Sequence, residues 1–286
     1  MITADDLPPE ARRLLALARR QHTPCGEGSI VWHLWGDADK PPLMLLHGGS
    51  GSWLHWVRNI EGLLAEGWQL IVPDLPGFGD SAVPPQGGDA DAVVDPLHAG
   101  WQQLGRGAAC DVIGFSFGAM VGGLWAARHP DAVRSLTLVG APGLGISRPQ
   151  RQALRGWRHL ETAEARQQAH RHNLGALMLW NPAAIDGLAL AVQAANAPRD
   201  RMTRRRLAGT DALARALQQT ACPVSAIYGE HDVLYEADWD RLVQWFGGFP
   251  RTRCFRQVAQ AGHWVQYENP TGFLQAWRDS RGELSG

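Results

Sequence analysis

The chain has 286 residues, 45% of them hydrophobic, with 27 basic and 28 acidic side chains and a formal net charge of −1. That composition can offset chain entropy and excludes disorder, and its near-neutral balance argues against a nucleic-acid binder, which carries a basic excess. The length fits one large α/β domain or two small ones, and no apolar run approaches the roughly 18 residues of a membrane span.

Arginines interrupt the leucines near the N-terminus, so residues 8–20 read as a short amphipathic helix rather than a signal peptide, and a cytoplasmic location is expected. Short apolar runs then alternate with helical patterns, the signature of a parallel sheet. Strands are expected over residues 29–35, 43–46 and 69–72, with a helix over 56–66 closed by Gly67. Residues 84–95 are rich in Pro, Gly and Asp and read as a surface loop before a helix at about 96–104. A strand over 111–115 runs directly into a helix over 117–128, which Pro130 prevents from continuing. After a strand over 136–139 the alternation stops. Residues 146–215 show only helical pattern, broken at Pro149, Pro182 and Pro198. Strands resume at 224–228 and 254–258, with helices at 237–246 and 270–278. The cysteines Cys25, Cys110, Cys222 and Cys254 have no paired spacing and read as free, buried thiols.

Gly114-Phe115-Ser116-Phe117-Gly118 fits G-x-S-x-G, and its setting is a strand that ends at Phe115 and a helix that begins at Phe117. Such a turn lifts the serine out of the sheet, and side chains at Gly114 and Gly118 would collide there. The helix N-terminus then lies beside the oxyanion that forms on an attacked carbonyl. A serine hydroxyl needs a base, and the base needs an orienting acid. In a strand–serine–helix setting these follow in the order serine, acid, histidine. His263 lies just past the last strand and is the expected base. Asp232 is the first aspartate beyond the next-to-last strand and is the expected acid, with Glu230 its rival. The oxyanion donors are expected to be the amides of Phe117 and of Gly49, within His47-Gly48-Gly49-Ser50-Gly51. That loop lacks the Gly-Lys-Ser/Thr of a phosphate cradle. No metal is expected, for want of H-E-x-x-H or paired cysteines, and no cofactor is implied.

Trp53, Trp56 and Trp264 flank these motifs and Phe115 precedes the serine. Together they suggest an apolar, aromatic pocket for a small-molecule acyl substrate. The competing reading is that large rings fill core space, and it is preferred for Trp32, Trp35, Trp125 and Trp277. Residues 146–215 contain twelve arginines against five acids, a net +7, and the remainder carries −8. Attraction of an anionic substrate, a solvated helical face and charge matching between the two parts all fit that asymmetry.

Taken together the motifs resemble the α/β-hydrolase superfamily. His47-Gly48-Gly49 looks like its oxyanion loop, and Asp74-Leu75-Pro76-Gly77-Phe78-Gly79-Asp80-Ser81 like its D-x-P-G-x-G-x-S loop. Gly114 to Gly118 resembles its nucleophile elbow, Gly229-Glu230-His231-Asp232 its acid turn and Gly262-His263 its base. The resemblance implies a mostly parallel sheet flanked by helices. It also implies a catalytic core of residues 1–145 and 216–286, with a helical lid of residues 146–215 inserted after the sixth strand. Members with an aspartate nucleophile, such as epoxide hydrolases, are disfavoured because Ser116 occupies that place. Gly262-His263-Trp264-Val265-Gln266-Tyr267-Glu268 is similar to the G-H-W-A-Q-W-E segment of carbon–carbon bond hydrolases that act on meta-cleavage products. Those enzymes usually have Asn where Phe115 stands and Gly-Gly-Pro-Gly in the oxyanion loop, and no lid arginine stands at their carboxylate-binding position. These departures favour a serine hydrolase of carboxylic esters or lactones. Carbon–carbon cleavage and a ligand-binding scaffold are the alternatives.

Overall fold

Alternation along each strand sorts side chains onto the two faces of one sheet. On β3 (Pro42–Leu46), Met44 and Leu46 pack with Trp32 and Trp125 on one face, and Leu43 and Leu45 with Trp35 and Trp277 on the other. The four tryptophans expected in the core are therefore there, two on each side. The structure, a computed structural model, describes residues 7–105, 108–146, 154–202 and 204–282. Its other strands are β1 (Arg19–Cys25), β2 (Gly28–Trp35), β4 (Gln69–Pro73), β5 (Cys110–Phe115), β6 (Val133–Val139), β7 (Val224–Gly229) and β8 (Thr252–Val258). They form one eight-stranded sheet in the order β1-β2-β4-β3-β5-β6-β7-β8. The β1–β2 and β2–β4 pairings are antiparallel and all the others parallel. Every residue of β5 and β7 is buried, as befits central parallel strands covered on both faces.

The helices are α1 (Pro9–Leu17), α2 (Ile60–Ala65), α3 (Ala90–Gln103), α4 (Phe117–Arg128), α5 (Ala163–Asn173), α6 (Gly187–Asn196), α7 (Ala212–Leu217), α8 (Trp239–Gly248), α9 (Val265–Glu268) and α10 (Pro270–Gly282). Three expectations need correction. The helix expected over 8–20 stops at Leu17, and β1 follows. This strand has no apolar alternation because it lies at the sheet edge, and only Thr23 and Cys25 on it are buried. The loop expected over 84–95 already contains the start of α3, capped by the Asp89 carboxylate on the Ala90 N–H and tolerating Pro96 inside. The helix expected over 56–66 is a tight turn over Trp53–Trp56 followed by α2, with Gly67 in the left-handed region at φ 82°. All four cysteines are free and buried, and burial pushes the Cys222 thiol up to about 11.

Between β6 and β7 the described residues contain no strand, only α5, α6, α7 and short turns; Pro149 lies outside them. Thr162 caps α5 and Asp186 caps α6 through their side-chain oxygens. A single wide helical turn over Leu174–Met178 continues α5 and ends it.

Register decides where the chemistry collects. Leu46 pairs with Gly114, Phe115 with Val139, Val139 with Ile227, and Gly229 with Val258. The loops that leave β3, β5, β6, β7 and β8 therefore emerge side by side at the carboxyl edge of the sheet, where open α/β sheets hold ligands.

Candidate active site

Ser116 joins β5 to α4 without an intervening residue and sits at φ 51°, in the left-handed region that L side chains rarely adopt. Two contacts hold it there: its N–H donates to Val139 O at 2.8 Å, and its carbonyl accepts from the Ala119 N–H at 3.0 Å. A Cβ on Gly114 would lie 2.5 Å from Gly118 O, and one on Gly118 would collide with the Leu46 carbonyl. The two glycines are thus required by close backbone approach, as expected from the motif.

The loop after β8 brings His263 over the serine, with Nε2 2.9 Å from Ser116 Oγ. Its Nδ1 lies 3.0 Å from each carboxylate oxygen of Asp232, on the turn after β7. A carboxylate only accepts, so Nδ1 carries the proton and Nε2 is left as the acceptor for the serine hydroxyl. Asp232 is also held by the Leu234 N–H at 3.0 Å, and both Asp232 and His263 are buried. Glu230, the rival acid, instead accepts from the Gln260 N–H at 2.9 Å on the surface. Sequence reasoning overlooked Gly140, at φ 54° after β6. A Cβ there would stand 3.0 Å from the His263 ring and 3.2 Å from Asp232 Oδ2, so a glycine makes room for the pair. A glycine directly after a buried strand was the available signal.

The loop after β3 lies against the start of α4: a Cβ on Gly49 would be 3.8 Å from Phe117 Cβ. Gly49 and Phe117, the two expected amide donors, are thus neighbours. His47 Nε2 accepts from the Leu75 N–H at 2.8 Å, and its Nδ1–H donates to Gly48 O at 2.8 Å. Burial lowers the pKa of His47 to about 4, against the pull of Asp74, so the ring stays neutral. Asp74 accepts from the Trp53 and Asp80 N–H groups, each at 2.9 Å, and thereby ties the D-x-P-G loop to the turn Trp53–Trp56 that follows the loop after β3.

With this geometry in view, comparison with known proteins is decisive for the family. The profile of the family described as alpha/beta hydrolase fold matches residues 41–270. The chain belongs to the α/β-hydrolase family. Among individual α/β hydrolases it is similar to Lipase 3 of Moraxella sp. (strain TA144), 38% identical over 103 residues that cover 36% of this chain and 32% of that one. It is also similar to Epoxide hydrolase 2 of Siraitia grosvenorii, 30% identical over 118 residues, 41% of this chain and 37% of that protein. The chain thus spans about a third of the length of these curated relatives. Esterase RhEst1 from Rhodococcus sp. ECU1013 shares the fold, with a TM-score of 0.74 at 24% identity over 93% of this chain and 98% of that one.

In this α/β hydrolase the aromatic residues expected to line a pocket divide. The Phe115 ring is 5.1 Å from the His263 ring, and Trp264, next to His263 in the chain, stacks on Tyr267 at 4.2 Å and lies 4.9 Å from His55. Trp53 packs against His33 and Trp35, and Trp56 against Phe273, so the structure groups these two with core rings rather than with Ser116. Residues from the segment between β6 and β7 also approach His263. A cavity of about 190 Å³ is lined by Met178, Leu179, Trp180, His231, Val233 and His263. Trp180 lies flat on His231, with ring centroids 3.9 Å apart. A larger cavity of about 490 Å³ lies between α5 and α6, and Ser116, Asp232 and His263 do not line it. Arg205, also from this segment, stands over Gly49 and pairs with Asp200 at 2.7 Å, while Ser50 Oγ donates to the same carboxylate. Nothing in the sequence linked Arg205 or Trp180 to motifs so far away along the chain.

Proposed function

We propose that this α/β hydrolase is a serine hydrolase that cleaves a carboxylic ester or lactone through an acyl-enzyme intermediate. The observation that carries the reading is the unbroken hydrogen-bonded path from Asp232 through His263 to Ser116, with contacts of 3.0 and 2.9 Å, ending on a serine in left-handed geometry. His263 Nε2 takes the Ser116 proton as Oγ attacks the carbonyl, then returns it to the departing alcohol. The amides of Gly49 and Phe117 hold the oxyanion, and the N-terminal end of α4 favours its charge. Water, deprotonated by the same histidine, releases the acid. Asp232 keeps the ring in the tautomer that leaves Nε2 free to accept.

Residues 146–215 act as a cap over this site. The cavity that reaches His263 is lined by Met178, Leu179 and Trp180 on one side and by His231 and Glu236 on the other, and offers a substrate group both apolar and polar contacts. Ion pairs across the boundary, Arg199 with Asp80 at 3.0 Å and Arg58 with Asp186 at 2.5 Å, support charge matching as a role for the positive segment.

Turnover of a short p-nitrophenyl ester tests the reading. Ser116→Ala is expected to lower kcat by more than ~10⁴-fold with the fold intact by circular dichroism. Survival of that turnover would overturn the mechanism. A panel of esters, lactones and a dienoate then sorts substrate class, and preferential turnover of the dienoate would replace ester hydrolysis with carbon–carbon cleavage.

A further inference from the structure

We propose that His55 is a positioning residue: by accepting from the Gly48 N–H it fixes Gly48 from one side while His47 holds the Gly48 carbonyl from the other, and together they aim the Gly49 N–H at the substrate oxygen. This deepens the serine-hydrolase reading and rests on it. Gly48 and Gly49 have no Cβ to restrain the loop, so contacts from outside that stretch must fix the direction of their amides. His55 Nδ1 lies 3.2 Å from the Gly48 N. A backbone N–H only donates, so Nδ1 carries a lone pair, and the neutral ring has its proton on Nε2. His47 is in the opposite tautomer and donates from Nδ1 to the carbonyl of the same Gly48. Both polar atoms of Gly48 are thus held, one by each ring. Because the peptide is planar and trans, pinning the Gly48 carbonyl turns the Gly49 N–H to the opposite side.

The surroundings suit His55 to that task. Its ring is buried, 4.9 Å from Trp264 and 5.6 Å from Phe115, and its carbonyl accepts from Trp264 Nε1 at 3.1 Å. Since Trp264 follows the base, a single side chain connects the oxyanion loop to the loop that carries His263. The loop curls around the ring closely enough that a Cβ on Gly51 would sit 2.5 Å from it, and one on Gly48 would be 2.8 Å from Phe115. Burial, with His47 and His263 adding to it, holds His55 well below the ordinary histidine value, so the ring remains an acceptor in mildly acidic solution.

The test compares His55→Leu with His55→Asn. Each removes the ring and its packing, but Asn keeps an acceptor oxygen near the position of Nδ1. Loss of a whole oxyanion donor costs ~10²–10³-fold in kcat, so a misdirected one is expected to cost ~10–100-fold. His55→Leu should therefore lower kcat for the p-nitrophenyl ester by that factor, with KM within about twofold. It should weaken a trifluoromethyl ketone inhibitor to a similar degree. His55→Asn should recover most of both losses at a melting temperature no higher than that of His55→Leu. If the two variants lose activity together, or if His55→Leu keeps full kcat and inhibitor affinity, the proposal is wrong. Should His55→Leu fail to fold, His55→Asn and nitrogen-15 NMR of the wild-type rings decide. The expected spectrum at pH 5.5 is a neutral His55 protonated on Nε2, and a ring protonated on Nδ1 contradicts the contact. The NMR arm needs no turnover, so it separates failure of this proposal from failure of the hydrolase reading, which Ser116→Ala reports.

Discussion

The carboxyl edge of the sheet and the segment between β6 and β7 are held in place by different physics. At the sheet edge, close backbone approach dominates: Gly114, Gly118 and Gly140 stand where a Cβ would meet backbone, the His263 ring or Asp232. Around them polar groups are buried and paired, as with Asp232, His263 and His47. The segment between the strands packs Leu174, Leu179, Val192, Met202 and Leu213 into the apolar core and adds long-range polar contacts at its borders. Arg199 meets Asp80, Arg201 donates to the Gly79 and Ser81 carbonyls, and Glu268 accepts from the Trp180 and Asn181 N–H groups. Asp89 accepts in the same way from the Arg206 and Leu207 N–H groups. A steric arrangement fails abruptly when one atom is added, whereas a polar fastening weakens in steps. On the proposed reading, the chemistry would sit on the sterically determined part, and access and fit would be set by the part that a few contacts can retune.

The largest effect that would break this contrast lies within the triad. Asp232→Asn is expected to lower kcat by ~10⁴-fold, because the amide no longer enforces the tautomer that leaves Nε2 free. Glu230→Gln should leave kcat within about twofold, and the reverse result would reassign the acid.

Next in size is an acid-sensitive stability that belongs to the rigid part. Burial lowers the pKa of His47 from 6.5 to about 4 in the folded chain, so the unfolded chain binds a proton first as pH falls. The stabilisation is full above pH 6.5 and is lost at up to about 1.4 kcal/mol per unit as pH falls toward 4. Urea midpoints measured between pH 7.5 and 4.5 check this. His47→Gln should flatten the decline, and an unchanged slope would count against a buried neutral ring.

The smallest effect concerns the fastening. Arg199 and Asp80 are each 13% exposed, so Asp80→Asn is expected to cost ~1–2 kcal/mol and to raise the rate of limited proteolysis within residues 154–202. Glu61→Gln, which removes an exposed pair with Arg13, should leave both readouts unchanged. Equal effects from the two variants would deny the fastening any special role.

How much of this was legible follows the same division. The Gly114–Gly118 turn and the loops that carry Asp232 and His263 could be read because backbone crowding restricts which residues fit, and α4 starts and ends where the strand–serine–helix pattern and Pro130 imply. The edge strand β1 escaped notice because its side chains face solvent and carry no apolar alternation. Trp53 and Trp56 pointed to a pocket by proximity in sequence, yet their rings meet His33, Trp35 and Phe273 in the core. His55, Arg205 and Trp180 were invisible for a different reason. Their partners Gly48, Asp200 and His231 are chosen by tertiary approach, and no spacing rule announces a ring that turns back to hold a loop.

The central claim is that Ser116 is an activated nucleophile, and covalent labelling tests it most directly. A fluorophosphonate should modify the folded protein at a single site, found by peptide mass spectrometry on Ser116. Labelling should vanish in Ser116→Ala and slow by at least ~10³-fold in His263→Ala. An adduct on another residue, or no adduct on the folded wild-type chain, would contradict the account.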